Sequence, residues 1–136
     1  MAARTKARKR ALDLLFEAEQ RQVNASDLLR ERLATPVTEA PLSEFTADLV
    51  TGVVEHWTQI NDLLTTYSQG WTLERMPAVD RAILRLGAYE VLFGEVPDGV
   101  AISEAVALAT ELSTDDSPKF VNGLLARIAE VKPTLA

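Results

Sequence analysis

RTKARKRALDLLFEAEQRQ, residues 4–22, carries two patterns at once. Ala7, Ala11, Leu14, Leu15 and Ala18 recur at i, i+4, i+7, i+8 and i+11, the repeat of a helix with one apolar face. Over the same stretch Arg4, Lys6, Arg8, Lys9 and Arg10 put five of the chain's 14 Lys and Arg residues into its first ten positions, with no acid before Asp13. The formal net charge is −6, so residues 11–136 carry nine cations against 20 anions, a net of −11. An acidic chain needs no extra cations for solubility, and these five are concentrated rather than scattered.

At about 100° per residue, Lys6, Lys9 and Asp13 fall opposite the apolar stripe, with Arg10 on its flank. Arg4 and Arg8 fall near the apolar side, where a charge is not buried without a partner. The pattern therefore predicts that the first two turns project past the core as a tip with cations all round. Such a tip either attracts polyphosphate, because each neutralised phosphate releases counterions, or is a frayed, merely solubilising end; the concentration of the cations favours the first. Phe16 lies seven residues after Lys9 on the same face, where it either stacks on an unpaired base or packs against another helix.

The same repeat continues along the chain. Ser26 is a candidate cap for a short helix over 27–34, and TPVTEAPLS (35–43) reads as a loop. Ser43 caps a third helix with Phe45, Leu49, Val53 and Trp57 on one stripe. After a bend near Trp57–Thr58, Ile60, Leu63, Leu64 and Tyr67 mark a fourth helix that Gly70 stops. Thr72 caps a short turn through Arg75.

Pro77 suits the first turn of a fifth helix over 77–93, with Val79, Ile83, Leu86 and Phe93 inward. Glu90 on that stripe shifts the expected buried face toward Ala82 and Tyr89. GEVPDGVA breaks the chain before a sixth helix over 103–112, and Ser117-Pro118 opens a final helix to about residue 130. No stretch alternates with period two, so the expected fold class is all-α, a bundle of about seven helices in one domain over 1–136.

Several function classes are excluded by what the chain lacks. With Cys 0 there is no disulfide, thiolate nucleophile or Cys-ligated zinc, and a single histidine, His56, leaves no imidazole cluster. There is no phosphate-cradling glycine loop and no nucleophile elbow, and Asp115-Asp116 lacks the glycine and terminal Glu of a calcium loop. No apolar run approaches the roughly 18 residues of a membrane helix. The expectation is a cytoplasmic binding protein without cofactor, metal or catalytic constellation.

STDDSPKFVNGLL (113–125) is the second informative stretch. Ser117 and Asp115 read as satisfying a helix start, while Lys119 and Phe120 put a cation and an aromatic into its first turn, suited to phosphate contact and base stacking. Gly123 inside the helix costs up to about 1 kcal/mol against Ala, tolerable if another helix approaches there.

KARKRALDLLFEAE, VDRAILRLGAYEV, VAISEAVALATEL and STDDSPKFVNGLL, in that order over nearly the whole chain, resemble the NusB family of bacterial transcription antitermination factors. The resemblance implies an all-helical fold of two packed three-helix groups. It implies binding to the boxA element of nascent ribosomal RNA together with NusE, a ribosomal small-subunit protein, and entry into the elongating RNA polymerase complex through other Nus factors. By position it assigns RNA contact to Lys6, Lys9 and Arg10, beside Arg4 and Arg8, and to Arg85, Asp116, Lys119 and Phe120. It sets Glu74 and Asp80 toward NusE, and some relatives form a homodimer. Two alternatives stand beside it: a helical interaction module that never meets RNA, and a NusB-like fragment of an RNA cytosine methyltransferase. The chain has no room for a free-standing methyltransferase's cofactor-binding sheet.

Overall fold

Ala7, Ala11, Leu14, Leu15 and Ala18 are all buried in the computed structural model, and Leu12 joins them. The structure describes residues 3–36 and 41–135. Among the described residues there are seven α-helices, a closing 3-10 turn and no strand. They form two units, Met1–Glu55 and His56–Ala136.

The first unit holds α1 (Ala3–Arg21), α2 (Ala25–Ala34) and α3 (Glu44–Glu55). The chain leaves α1 through Gln22, whose φ of 56° is left-handed, and the Val23 amide closes back on the Ala18 carbonyl at 2.9 Å. Asn24, not Ser26, then caps α2, its side chain accepting from the amides of Ser26 at 2.8 Å and Asp27 at 3.3 Å. Ser43 caps α3 as expected, accepting from the Thr46 amide at 3.1 Å. The buried Thr46 hydroxyl donates to the Ala7 carbonyl at 3.0 Å and so ties α3 to the second turn of α1. Of the loop expected over 35–43, residues 37–40 lie outside the described residues.

Glu17 on α1 takes hydrogen bonds from Arg32 of α2 and, at 2.8 Å, from Arg21. These bonds, that from Arg32 foremost, hold its carboxyl below the ordinary carboxylate range.

The second unit holds α4 (Trp57–Tyr67), α5 (Ala78–Phe93), α6 (Asp98–Leu112), α7 (Ser117–Val131) and the 3-10 turn Lys132–Leu135. The bend expected near Trp57–Thr58 falls at His56. Trp57 therefore starts α4, 39% exposed, rather than extending the stripe of α3. Gly70 is left-handed at φ 95° but lies beyond the helix end, where Ser68 in an extended conformation has already stopped α4.

α5 packs against α4, α6 and α7, so its residues are buried on nearly every side. A single inward stripe does not describe such a helix. Ala82 is buried as expected, but Tyr89 is half-buried, Glu90 is buried and partnered, and Phe93 is 38% exposed. His56 stacks on Phe93 with ring centroids 3.8 Å apart. α6 begins at Asp98, five residues before Ser103, because Pro97 opens the helix and Asp98 favours its first turn. A Cβ built on Gly87 of α5 lies 2.6 Å from Leu125 Cδ1 on α7 and 3.3 Å from Ala105 Cβ on α6. The glycine is what lets the three helices meet.

Gly87→Val is therefore expected to cost about 1–3 kcal/mol by overpacking, measured by urea unfolding. Glu17 contributes one pH-dependent part of the stability. Its folded-state pKa lies below the unfolded value, so its contribution to stability is present at neutral pH. That contribution is lost as pH falls through the folded pKa. Glu17→Gln is expected to lower stability at neutral pH and to shrink the acid-side loss, read from urea midpoints across the carboxylate range.

Candidate nucleic-acid interfaces

The cations of α1 do not ring the helix. Arg8 is only 3% exposed, its guanidinium 5.2 Å from the centroid of the Phe45 ring on α3, and the Arg4 guanidinium lies 4.7 Å from the same centroid. The expected projection past the core is thus corrected: Ala7 and Arg8 are both buried, the Arg8 guanidinium beside a π-face. Arg8 is set inward. Lys6 and Arg4 are exposed, and Lys9 and Arg10 are half-buried. The Arg10 guanidinium donates to the Pro41 carbonyl at 3.0 Å, which pins it to the segment before α3. Phe16 is half-buried on this helix. Lys6, Lys9 and Arg10 share one face that can meet phosphates, while Arg4 is exposed on the Phe45 side of the helix.

In the second unit the α6–α7 turn is organised by a residue expected to face a partner protein. Asp80 of α5 is 0% exposed. One carboxyl oxygen accepts from the Ser113 hydroxyl and the other from the Ser117 hydroxyl at 2.7 Å, while Thr114 lies 2.7 Å from Ser117. A buried carboxyl needs such donors, and a fully buried one cannot reach NusE or any other protein surface. Ser117 in turn is not the cap of α7. That position is Asp116, whose side chain makes no capping bond, and both Asp115 and Asp116 are exposed.

This turn sets out the first residues of α7. Lys119 is exposed, and Phe120 is half-buried with its ring edge-on to Trp71, centroids 4.9 Å apart and planes at 73°. Asp116, Lys119 and Phe120 thus line one open groove. Trp71, which fixes the Phe120 ring, carried no helical periodicity to mark it; its place just after Gly70, in a loop, is the signal that was there to be read. Gly123 meets no helix: a Cβ there has nothing within 4 Å.

Arg85 and Glu74 separate. Arg85 is 9% exposed, its Nε donates to Asn61 Oδ1 at 2.9 Å, and its guanidinium lies 4.2 Å from the Trp57 ring centroid. It fastens α5 to α4 and offers little to RNA. Glu74 is exposed in the turn before α5. Among the described residues no group of three His, Cys, Asp or Glu is placed to hold a metal ion, and no helix is long and apolar enough to cross a membrane.

The sequence profile of the NusB family matches residues 5–130. The transcription antitermination protein NusB of Beutenbergia cavernae is 60% identical over 144 residues, covering 99% of this chain and 94% of that protein. The solved structure of T. maritima NusB superposes with a TM-score of 0.82 at 33% identity, covering 96% of this chain and 92% of that one. A complex of the antitermination factors NusB and NusE with dsRNA contains a chain of TM-score 0.79 and 26% identity, with coverage of 94% and 96%.

Removing the Asp80 carboxyl leaves two hydroxyls without their acceptor. Asp80→Ala is expected to cost about 1–3 kcal/mol in urea unfolding, and Asp80→Asn, which keeps one acceptor oxygen, clearly less.

Proposed function

The chain belongs to the NusB family, and we propose that it acts in transcription antitermination by binding boxA of nascent ribosomal RNA together with NusE and joining the elongating RNA polymerase in the cytoplasm. The observation that carries this reading is the family match over residues 5–130, which takes in both the one-sided cationic face of α1 and the α7 turn. Binding, not catalysis, is the role.

The RNA contacts are assigned to Arg4, Lys6, Lys9 and Arg10 on α1 and to Asp116, Lys119 and Phe120 on α7. The cations take backbone phosphates, which gives affinity without sequence information. Phe120, steadied edge-on by Trp71, offers a face for an unpaired base. Asp116 accepts hydrogen bonds from base amino groups or ribose hydroxyls. Phe16 is the second candidate for stacking. Arg8 and Arg85 take structural roles behind these contacts.

The net charge of −11 over residues 11–136 suits a basic ribosomal protein, drawing it in at long range. Glu74, exposed ahead of α5, is the acidic contact assigned to NusE; Asp80 serves the turn instead. The relative solved with NusE and dsRNA supports this pairing of partners.

Fluorescence anisotropy with a boxA-like single strand and a scrambled control, at two salt concentrations and with or without NusE, tests the proposal. Tighter boxA binding that NusE enhances is the expected result. Equal, salt-insensitive binding to both strands would overturn it and favour an interaction module. Replacing Lys6, Lys9 and Arg10 together by Gln is expected to weaken binding to both strands and to make the slope of log K against log salt shallower by roughly 2.

A further inference from the structure

We infer that the outer groove of α7 running from Lys119 past Gly123 to Arg127 binds unpaired ribonucleotides beyond the one stacked at Phe120, so that the RNA strand continues along this helix. The inference rests on the RNA-binding reading above and extends its site by about two turns of helix.

Gly123 is the starting point. It sits in the interior of a 15-residue helix, where glycine costs up to about 1 kcal/mol against alanine. Gly87 has a reason for lacking a side chain, since Leu125 and Ala105 crowd it. Gly123 has none within its own chain: it is exposed, a Cβ there would meet nothing within 4 Å, and its φ is not left-handed. A bare stretch of helix backbone facing solvent suits close approach by a ligand.

The surroundings say which ligand. Gly123 lies in a groove of about 690 Å³, within the usual size range of ligand sites. Lys119, Gly123 and Arg127 recur every four residues along its floor, which spaces the two cations about 12 Å apart along the axis. Phe120 stands at one end of this run. At the other, the Arg127 guanidinium lies 5.5 Å from the Tyr67 ring centroid, a flat cation backed by an aromatic face.

Cations that alternate with aromatic faces along a bare backbone match single-stranded RNA, whose phosphates and bases alternate in the same way. The groove also carries charge at both ends, Asp116 beside Lys119 and Glu130 paired with Arg127 at 3.2 Å, so its ligand meets cations as well as the rings of Tyr67 and Phe120. That ion pair is exposed and worth little, so a phosphate can take the guanidinium from it.

The test uses the full chain with NusE and a ladder of boxA-like strands lengthened one nucleotide at a time at the 5′ or the 3′ end. Wild-type protein is expected to gain about tenfold in affinity as one end grows past the core element. Gly123→Ala and Arg127→Gln are expected to lose that gain while binding the shortest strand as wild type does. Phe120→Ala is expected to weaken binding at every length. The Gly123→Ala protein should melt at the same temperature as wild type or higher, which separates lost contact from lost fold.

Identical length dependence in wild type and Gly123→Ala would overturn the groove while leaving the core RNA site intact. No binding to any strand would overturn the RNA reading, and the groove with it. If sedimentation showed that Gly123→Ala alters only self-association, the occupant would be a second copy of this chain, and the inference would fail.

Discussion

The carboxyl group of Asp80 has no water to turn to, and the junction between α6 and α7 is built around that fact. Ser113 and Ser117 both give it their hydroxyls, and Thr114 adds a third hydroxyl beside Ser117. A turn of small polar residues, which in isolation has many conformations, is thereby held to one. The exposed Asp116, the direction of α7, the position of Phe120 against Trp71 and the groove beyond all depend on that turn. A buried polar group specifies a structure when every partner is present.

The first unit solves a comparable problem with a ring. Arg4 and Arg8 fall where helical geometry would put a charge against apolar neighbours, and Phe45 meets them with its π-face. Thr46, next in sequence, binds the Ala7 carbonyl at 3.0 Å and holds α3 where the ring can do this. Lys6 is exposed and Lys9 and Arg10 are half-buried on the side away from that ring, Arg10 braced by the Pro41 carbonyl. The division of charge that the sequence announced is thus sharpened into a line of cations.

Much of this was legible beforehand, and the reasons for the misses are physical. The apolar repeat of α1 and the Ser43 cap read correctly because each is a local pattern with a local cause. The family resemblance, carried by four stretches in order, is borne out by the match over residues 5–130. The start of α6 was misplaced because Pro97 and Asp98-Gly99 read equally well as a turn. Asp80, Arg8, Arg85 and Ser117 were misjudged for a common reason. Each is a polar residue whose partner lies on another helix, 24 to 37 residues away for the bonds of Arg85 and Ser117. Nothing in the local sequence names such a partner. Asp116, Lys119 and Phe120 come together in one groove because they are neighbours at a single helix start.

Phe45 has a consequence for association as well as for folding. A long exposed arginine ordinarily samples many rotamers, and a ligand that grips it must freeze them. Arg4 rests at 4.7 Å from a ring that already limits its range, beside an Arg8 that holds the ring's other claim. Its guanidinium is therefore partly ordered before any phosphate arrives. If Arg4 takes a phosphate as proposed, it does so with less freedom left to surrender, and the ring behind it shares in setting the affinity.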